Sequence, residues 1–232
     1  MRAQTIAAAA VLMAGIASPG AAPARRAAFT DEFQIERCTF ATTGRNTYFL
    51  LVPGYRLELE GQEKGTVTHL TVTVLEDTLT VDGVETRVVE ERETEDGELV
   101  EVSRNYFAMC TENGSVFYFG EDVDDYENGV VVDHDGSWRA GVDGARAGVA
   151  MPGLNLVGAR YFQEVAPDVA LDRAETVSVT ETLSTPAGSF TNVLKTKETT
   201  PLEKGVKEFK LYAPGVGLIR DENLDLIEVV TP

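Results

Sequence analysis

Two-residue turn signals recur at short intervals through the first half of the chain, and they constrain the fold more than any other feature. Each separates stretches rich in valine, threonine and aromatic residues: Asp82-Gly83, Asp96-Gly97, Asn113-Gly114 and Asn128-Gly129. Such dipeptides adopt positive φ at low cost and form the tight turns whose twist suits antiparallel strands. The stretch "GTVTHLTVTVLEDTLTV" alternates with period two, as a half-buried strand does. The sequence therefore predicts an all-β fold, a meander of antiparallel hairpins.

The strand pattern is interrupted between Arg139 and Arg160. The segment "RAGVDGARAGVAMPGLNLVGAR" is rich in glycine and contains a proline, so it cannot form a long regular element. Unstructured connections of this length are uncommon inside a domain, and they are often functional. Two interpretations stay open: a crossing segment that covers an edge or open end of the sheet, or a lid over an apolar cavity. The second makes its apolar side chains candidate ligand contacts: Val149, Met151, Leu154 and Leu156.

Strand patterns resume after this segment, as in "AETVSVTETLS" and "VKEFKLYA". No linker separates two domains, and no tandem repeat is present. We therefore expect a single β domain over residues 25–232. Its two parts, about residues 30–138 and 160–232, are interpreted as halves of one curved sheet.

The first residues are typical of an export signal. A positive residue, Arg2, precedes the apolar run "TIAAAAVLMAGIA", which is too short to span a bilayer, and small residues follow at 22–24. Residues 1–24 are therefore predicted to be a cleaved signal peptide. The mature chain is expected to be exported, to the periplasm or the extracellular space, with no integral membrane segment.

The chain has two cysteines, Cys38 and Cys110. An even number without a C-x-x-C motif, in a chain predicted to leave the cytoplasm, favours one structural disulfide over a redox or metal pair.

The formal net charge of −18 is unusual for a chain of this length. Such a surface repels nucleic acid and anionic membranes, which themselves carry dense negative charge. It favours cations or cationic partners, although acidic surfaces with few lysines also arise as adaptation to salt. Nucleic acid is therefore excluded as a partner, and a protein partner is not defined by the sequence.

The stretch "YFGEDVDDYENGVVVDHDGSW", residues 118–138, is the most acidic part of the chain. It fails as an EF-hand, because Tyr126 and Glu127 stand where a ligand and the essential glycine are needed. A hairpin around the Asn-Gly turn is the preferred interpretation, and no cofactor is expected. An irregular calcium site remains the alternative, with four candidate ligands: Asp122, Asp124, Asp125 and Asp133.

Signals for catalysis are weak. The chain has two histidines, and "DGSWRAG" around Ser137 does not match the nucleophile elbow of serine hydrolases. His69 lies within a regular strand pattern, which favours a structural role. The sequence also contains no phosphate-binding loop and no G-x-G-x-x-G. An enzyme is therefore not expected, and a hydrolase using His134 is the least favoured hypothesis.

Several stretches resemble a group of uncharacterised exported bacterial proteins, including domains described as TapB-like. These are "SRNYFAMCTENGSVFYFGEDVDDYENG", "MPGLNLVGARYFQEVAPDVALDRAE", "TPAGSFTNVLKTKETTPL" and "EFKLYAPGVGLIRDE". The resemblance implies one strongly curved antiparallel sheet, similar to the half-barrels of periplasmic lipoprotein carriers, and an envelope location. It implies no catalytic residue. The chain departs from the carrier pattern because it lacks helices to close the concave face of the sheet.

The residues and the resemblance together favour a non-catalytic exported binding module. A curved sheet that a Gly-rich loop closes imperfectly would leave a cavity for a lipid or another apolar ligand. The alternative is an acidic structural or interaction protein of the envelope that binds a cationic partner or calcium.

Overall fold

The computed structural model describes residues 28–232, so the predicted signal peptide lies outside the described residues. Within this part of the chain, one short 3-10 helix at Ile35–Arg37 precedes eighteen strands. The first nine are β1 Phe40–Ala41, β2 Gly44–Arg45, β3 Leu50–Leu51, β4 Arg56–Glu63, β5 Thr66–Val81, β6 Val84–Glu95, β7 Glu98–Cys110, β8 Val116–Glu127 and β9 Val130–Asp133. The others are β10 Trp138–Arg139, β11 Arg146–Met151, β12 Arg160–Phe162, β13 Glu164–Val165, β14 Arg173–Thr185, β15 Gly188–Thr199, β16 Glu208–Ala213, β17 Gly217–Asp221 and β18 Leu224–Val230.

One large antiparallel sheet dominates the described residues, and it curves until it is nearly closed into a barrel. Its main path runs β12-β14-β15-β16-β17-β18-β4-β5-β6-β7-β8-β11-β13. The terminal strands of this path, β12 and β13, are separated in the chain by the single residue Gln163. The two ends of the sheet must therefore approach each other. The predicted all-β class and the strongly curved meander are confirmed.

Both halves of the chain contribute to this sheet. Strand β18, near the C-terminus, pairs with β4, with Leu226 opposite Leu59. The glycine-rich segment 139–160 supplies β11, which pairs with β8 and β13; between the end of β10 and the start of β12, its other residues form turns and irregular stretches. No helix within residues 28–232 combines the length and the apolar character needed to cross a bilayer.

Three of the four predicted two-residue hairpin turns are present. Asp82, Asp96 and Asn128 have φ values of 47°, 48° and 51°, and the glycine that follows each one also has a positive φ. Consecutive positive φ values define the type I′ turn, whose twist matches that of the two strands it joins. The links β5–β6, β6–β7 and β8–β9 are therefore the turns that their dipeptides predicted, whereas β7 and β8 are joined by the longer loop 111–115, in which Gly114 has a positive φ and Asn113 does not.

The N-terminal segment is fixed to the outside of β7 and β8. The disulfide between Cys38 and Cys110 is present, which confirms that prediction. Next to it, the ring of Phe40 packs edge-on against those of Phe117 and Phe119. These two phenylalanines are among the most deeply buried residues, since the N-terminal segment covers this outer surface.

Candidate ligand cavity

The inner face of the curved sheet encloses a cavity of about 610 Å³. Side chains from most strands of the sheet line it, because alternate residues on each strand point inward. Its volume lies within the range of about 300–1,000 Å³ that is typical of small-molecule sites. We therefore take this cavity as the candidate site.

The polarity of the cavity wall changes along its strands. On β6 the inward residues run from Val89 to Glu91 and Glu93 towards the turn that joins β6 to β7. On β7, which runs the opposite way, they run from Glu101 beside that turn to Phe107. On both strands the acidic residues lie near the shared turn and the apolar residues lie further from it. The cavity therefore has one acidic end and one apolar end.

Aromatic and aliphatic side chains form the apolar end. The hydroxyl of Tyr48 donates to the carbonyl oxygen of Asn192 at 3.1 Å, and that of Tyr55 donates to the carbonyl oxygen of Val216 at 2.8 Å. These bonds satisfy the two hydroxyls and leave the rings as apolar surface. The other apolar lining residues are Phe49, Leu50, Leu57, Val72, Val74, Val89, Phe107, Ala150, Val216 and Leu218.

The acidic end contains far more negative than positive groups. Nine carboxylates line the cavity, against a single ammonium, that of Lys210. Lys210 Nζ lies 3.3 Å from Asp221 Oδ2 and 3.7 Å from Glu198 Oε2. The nine carboxylates are those of Glu91, Glu93, Glu101, Glu121, Glu164, Asp172, Glu198, Glu208 and Asp221.

This enclosure changes the acidity of the groups at the acidic end. Burial raises the pKa of Glu91 to about 7, and the carboxylates of Asp221, Glu101 and Glu93 add to the rise while Lys210 opposes it. Burial also raises the pKa of Glu164 well above its usual value, and the nearby carboxylates of Glu121 and Asp172 raise it further. A low-dielectric environment and like charges both disfavour the ionised carboxylate.

The cation at this end responds in the opposite way. Burial disfavours the charged form of Lys210, yet the nearby carboxylates of Asp221 and Glu198 outweigh burial and raise the pKa of the ammonium. Lys210 therefore remains charged and neutralises only part of the acidic end.

Glu198 is the most buried of the acids and is held by its neighbours. Gln163 Nε2 donates to Glu198 Oε1 at 3.3 Å, and Thr196 Oγ1 donates to the same oxygen at 3.2 Å. Gln163 Oε1 has no hydrogen-bond partner within the described residues, although it is shielded from solvent. The closing point of the sheet therefore presents an unsatisfied acceptor beside the acids.

The four predicted apolar contacts of the glycine-rich segment lie elsewhere. Val149 and Met151 are buried in β11, whereas Leu154 and Leu156 are exposed on the turn that follows. None of the four lines the cavity, but Ala150 does; it lies between Val149 and Met151, where a bulge shifts the register between β11 and β8.

The four predicted calcium ligands lie on the hairpin β8–β9. Asp122 Oδ2 is 2.6 Å from Arg139 Nη2, and Asp124 Oδ2 is 3.0 Å from Arg104 Nη1. Asp125 lies opposite Asp133 in the register. Two of the four carboxylates are thus already paired with arginine.

The described residues bring few potential metal ligands together. In that range, one group of three potential ligands has its atoms within 4.8 Å of one another, and it consists of Cys38, Cys110 and Glu112. The two cysteines form the disulfide, so this group is not a metal site. The calcium site remains a prediction.

His134 and Ser137 face the backbone of β8. His134 Nδ1 lies 3.0 Å from Asp124 Oδ1 and 2.8 Å from the carbonyl oxygen of Val123. The Ser137 hydroxyl accepts a hydrogen bond from the Val123 amide at 2.9 Å. The Ser137 amide donates to the carbonyl oxygen of His134 at 3.2 Å, but within the described residues no hydrogen bond joins the two side chains. This arrangement stabilises the hairpin and differs from a nucleophile–base pair, in which the two side chains are bonded to each other.

Comparison of the chain with protein-family models, with curated proteins and with solved structures found no significant match. The cavity must therefore be interpreted from its own chemistry.

The cavity acids were not identified from the sequence. A signal for them exists in "RVVEERETE", where Glu91 and Glu93 continue the inward period-two positions that begin at Val89. Charged residues at such positions are ordinarily interpreted as solvent-facing, so the signal has meaning only once the sheet is known to close.

Proposed function

We propose that the protein is a non-catalytic exported binding module that holds one small molecule inside its curved sheet. The observation that carries the proposal is the cavity of about 610 Å³, whose apolar end is built from aromatic and aliphatic side chains. The apolar part of the ligand, a lipid chain or a comparable group, would lie against this end. Cavities of this shape and lining are the default ligand sites of proteins.

Two features support export as part of the proposal. The disulfide suits an oxidising compartment, and the N-terminal sequence is typical of a signal peptide. The curvature of the sheet also agrees with what the resemblance to TapB-like domains implies, and that resemblance remains a prediction.

A cavity-filling variant tests the proposal. Val72 lines the apolar end, whereas Val67 is more exposed and lies an odd number of residues away on the same strand, β5. We expect Val72→Trp to abolish the fluorescence increase of the apolar probe N-phenyl-1-naphthylamine, because indole fills the space. Val67→Trp should leave the increase intact, because it adds the same side chain on the opposite face of the sheet. Equal binding by both variants would place the probe outside the cavity and refute the proposal.

Native mass spectrometry identifies the natural ligand. Protein purified from the periplasm without detergent should carry an organic adduct that Val72→Trp loses. An adduct with the mass of calcium that EDTA removes would instead support the alternative function, a calcium-binding envelope protein using the hairpin aspartates.

A further inference from the structure

The acidic end of the cavity has a surplus of hydrogen-bond acceptors. Nine carboxylates line the cavity, whereas Lys210 and the amide of Gln163 supply most of the side-chain donors close to Glu198. Gln163 Oε1 adds another acceptor without a partner. A ligand that donates several hydrogen bonds and carries positive charge would correct both the charge and the hydrogen-bond imbalance.

Two buried hydroxyls on the inner rows of the sheet lack hydrogen-bond partners among the described residues, and neither residue belongs to the cavity lining itself. Tyr161 is 4% exposed, and its hydroxyl has no hydrogen-bond partner among the described residues. Residues directly opposite each other on neighbouring strands share a face of the sheet. Tyr161 is opposite Ala174, and Ala174 is opposite the cavity residue Glu198, so all three lie on the inner face. Tyr161 also interacts electrostatically with the Glu198 carboxylate. The Thr176 hydroxyl, 1% exposed, is also unpartnered, in the adjacent inner row. Buried polar groups rarely lack partners, so these groups require explanation.

The spacing of the acids distinguishes an organic cation from a metal ion. Within residues 28–232, no three cavity carboxylates bring ligand atoms within 4.8 Å of one another. A calcium ion gathers six to eight oxygens at about 2.3–2.6 Å, which this wall does not provide. An organic cation whose nitrogen atoms are spaced along its carbon chain can instead contact acids that are spread over several strands.

We propose that the ligand is an amphipathic organic amine with at least two nitrogen centres at the acidic end and an apolar chain directed towards the apolar end. This inference rests on the proposed function, because it assigns the chemistry of the ligand in the same cavity. Ammonium groups would form charge-assisted hydrogen bonds with Glu164 and Glu121, which otherwise lie close together with like charge.

Matched probes test the inference. We expect N-dodecylpropane-1,3-diamine to bind at least about tenfold more tightly than dodecan-1-ol at about pH 8, measured by calorimetry below the critical micelle concentration. A buried charge pair contributes about 1.5 kcal/mol or more, and each 1.4 kcal/mol is about tenfold in affinity. Equal affinity for the alcohol would overturn the amine assignment and leave the binding function intact. If neither the diamine, nor the alcohol, nor N-phenyl-1-naphthylamine binds, both the amine assignment and the proposed binding function are overturned.

A matched pair of double variants locates the binding. Glu164→Gln with Glu121→Gln should weaken diamine binding at least about tenfold, and an unchanged far-UV circular dichroism spectrum shows that the variant is folded. The control, Glu127→Gln with Glu228→Gln, removes the same charge from exposed positions outside the cavity. Its diamine affinity should change less than about threefold, since surface charges contribute little. Equal weakening in both variants would reveal non-specific attraction to the acidic surface and refute the inference.

Discussion

Glu91 tests whether the inside of the sheet is as poorly solvated as its geometry indicates. Its carboxylate lines the cavity on β6 and has no hydrogen bond or ion pair within the described residues. Burial raises its pKa from the usual 4.5 to about 7. Replacing it with glutamine preserves the size of the side chain and removes only the charge.

The sign of the effect follows from proton linkage. Between pH 4.5 and 7 the folded state retains a proton on Glu91 that the unfolded state has released, so the free energy of unfolding falls as pH rises. Above pH 7 the loss is complete and amounts to about 3 kcal/mol, at 1.36 kcal/mol per pKa unit. Below pH 4.5 both states are protonated and the contribution disappears.

We therefore expect Glu91→Gln to raise the free energy of unfolding by about 3 kcal/mol at about pH 8 and to leave it nearly unchanged at about pH 4. Urea denaturation at the two pH values measures both quantities. The control is Glu228→Gln, an exposed position on β18, which should have little effect at either pH.

An unchanged or lower stability of Glu91→Gln at about pH 8 would refute the reasoning. It would show that the ionised carboxylate is well solvated by water in the cavity, or that Lys210 stabilises it more than burial destabilises it. The amine proposal would then lose part of its physical basis, because a solvated acid needs no ligand to stabilise its charge.

Three further predictions concern the disulfide, a glycine of β11 and the pH dependence of diamine binding. Replacing Cys38 and Cys110 together with alanine should lower the free energy of unfolding by about 4 kcal/mol in urea denaturation, because the bridge closes a long loop; a loss below about 1 kcal/mol would contradict this account. Gly148→Ala should cost about 1–3 kcal/mol in the same assay, since its Cβ would lie 2.2 Å from the carbonyl oxygen of Gln163 where β11 meets β13. Diamine binding should weaken as pH falls below about 7 in calorimetry, because acids with raised pKa such as Glu121 take up protons and lose their charge.

Local sequence signals predicted the strand class and the turns. Asp82-Gly83, Asp96-Gly97 and Asn128-Gly129 adopt the positive φ values that their chemistry favours, and the strands pair around them. The disulfide was also predictable, because two cysteines in a chain predicted to be exported have few alternatives. Each of these features depends on residues close in sequence or on a choice among few partners.

The cavity acids were not predictable in the same way. Glu91 and Glu121 belong to strands that carry charged residues on both faces, and period-two alternation alone does not decide which face of a sheet becomes the interior. The four apolar residues of the glycine-rich segment were judged by composition, whereas their orientation depends on how β11 pairs with β8 and β13.

The sequence by itself determined an acidic, antiparallel β chain with fixed hairpins and one disulfide. Only the tertiary structure decided that the sheet closes at Gln163 and places nine carboxylates around one ammonium in an enclosed space. The physical reason is that closure depends on the twist and coiling summed over many strands. A local pattern specifies each hairpin, whereas the inside of the sheet exists only after strands distant in sequence have met.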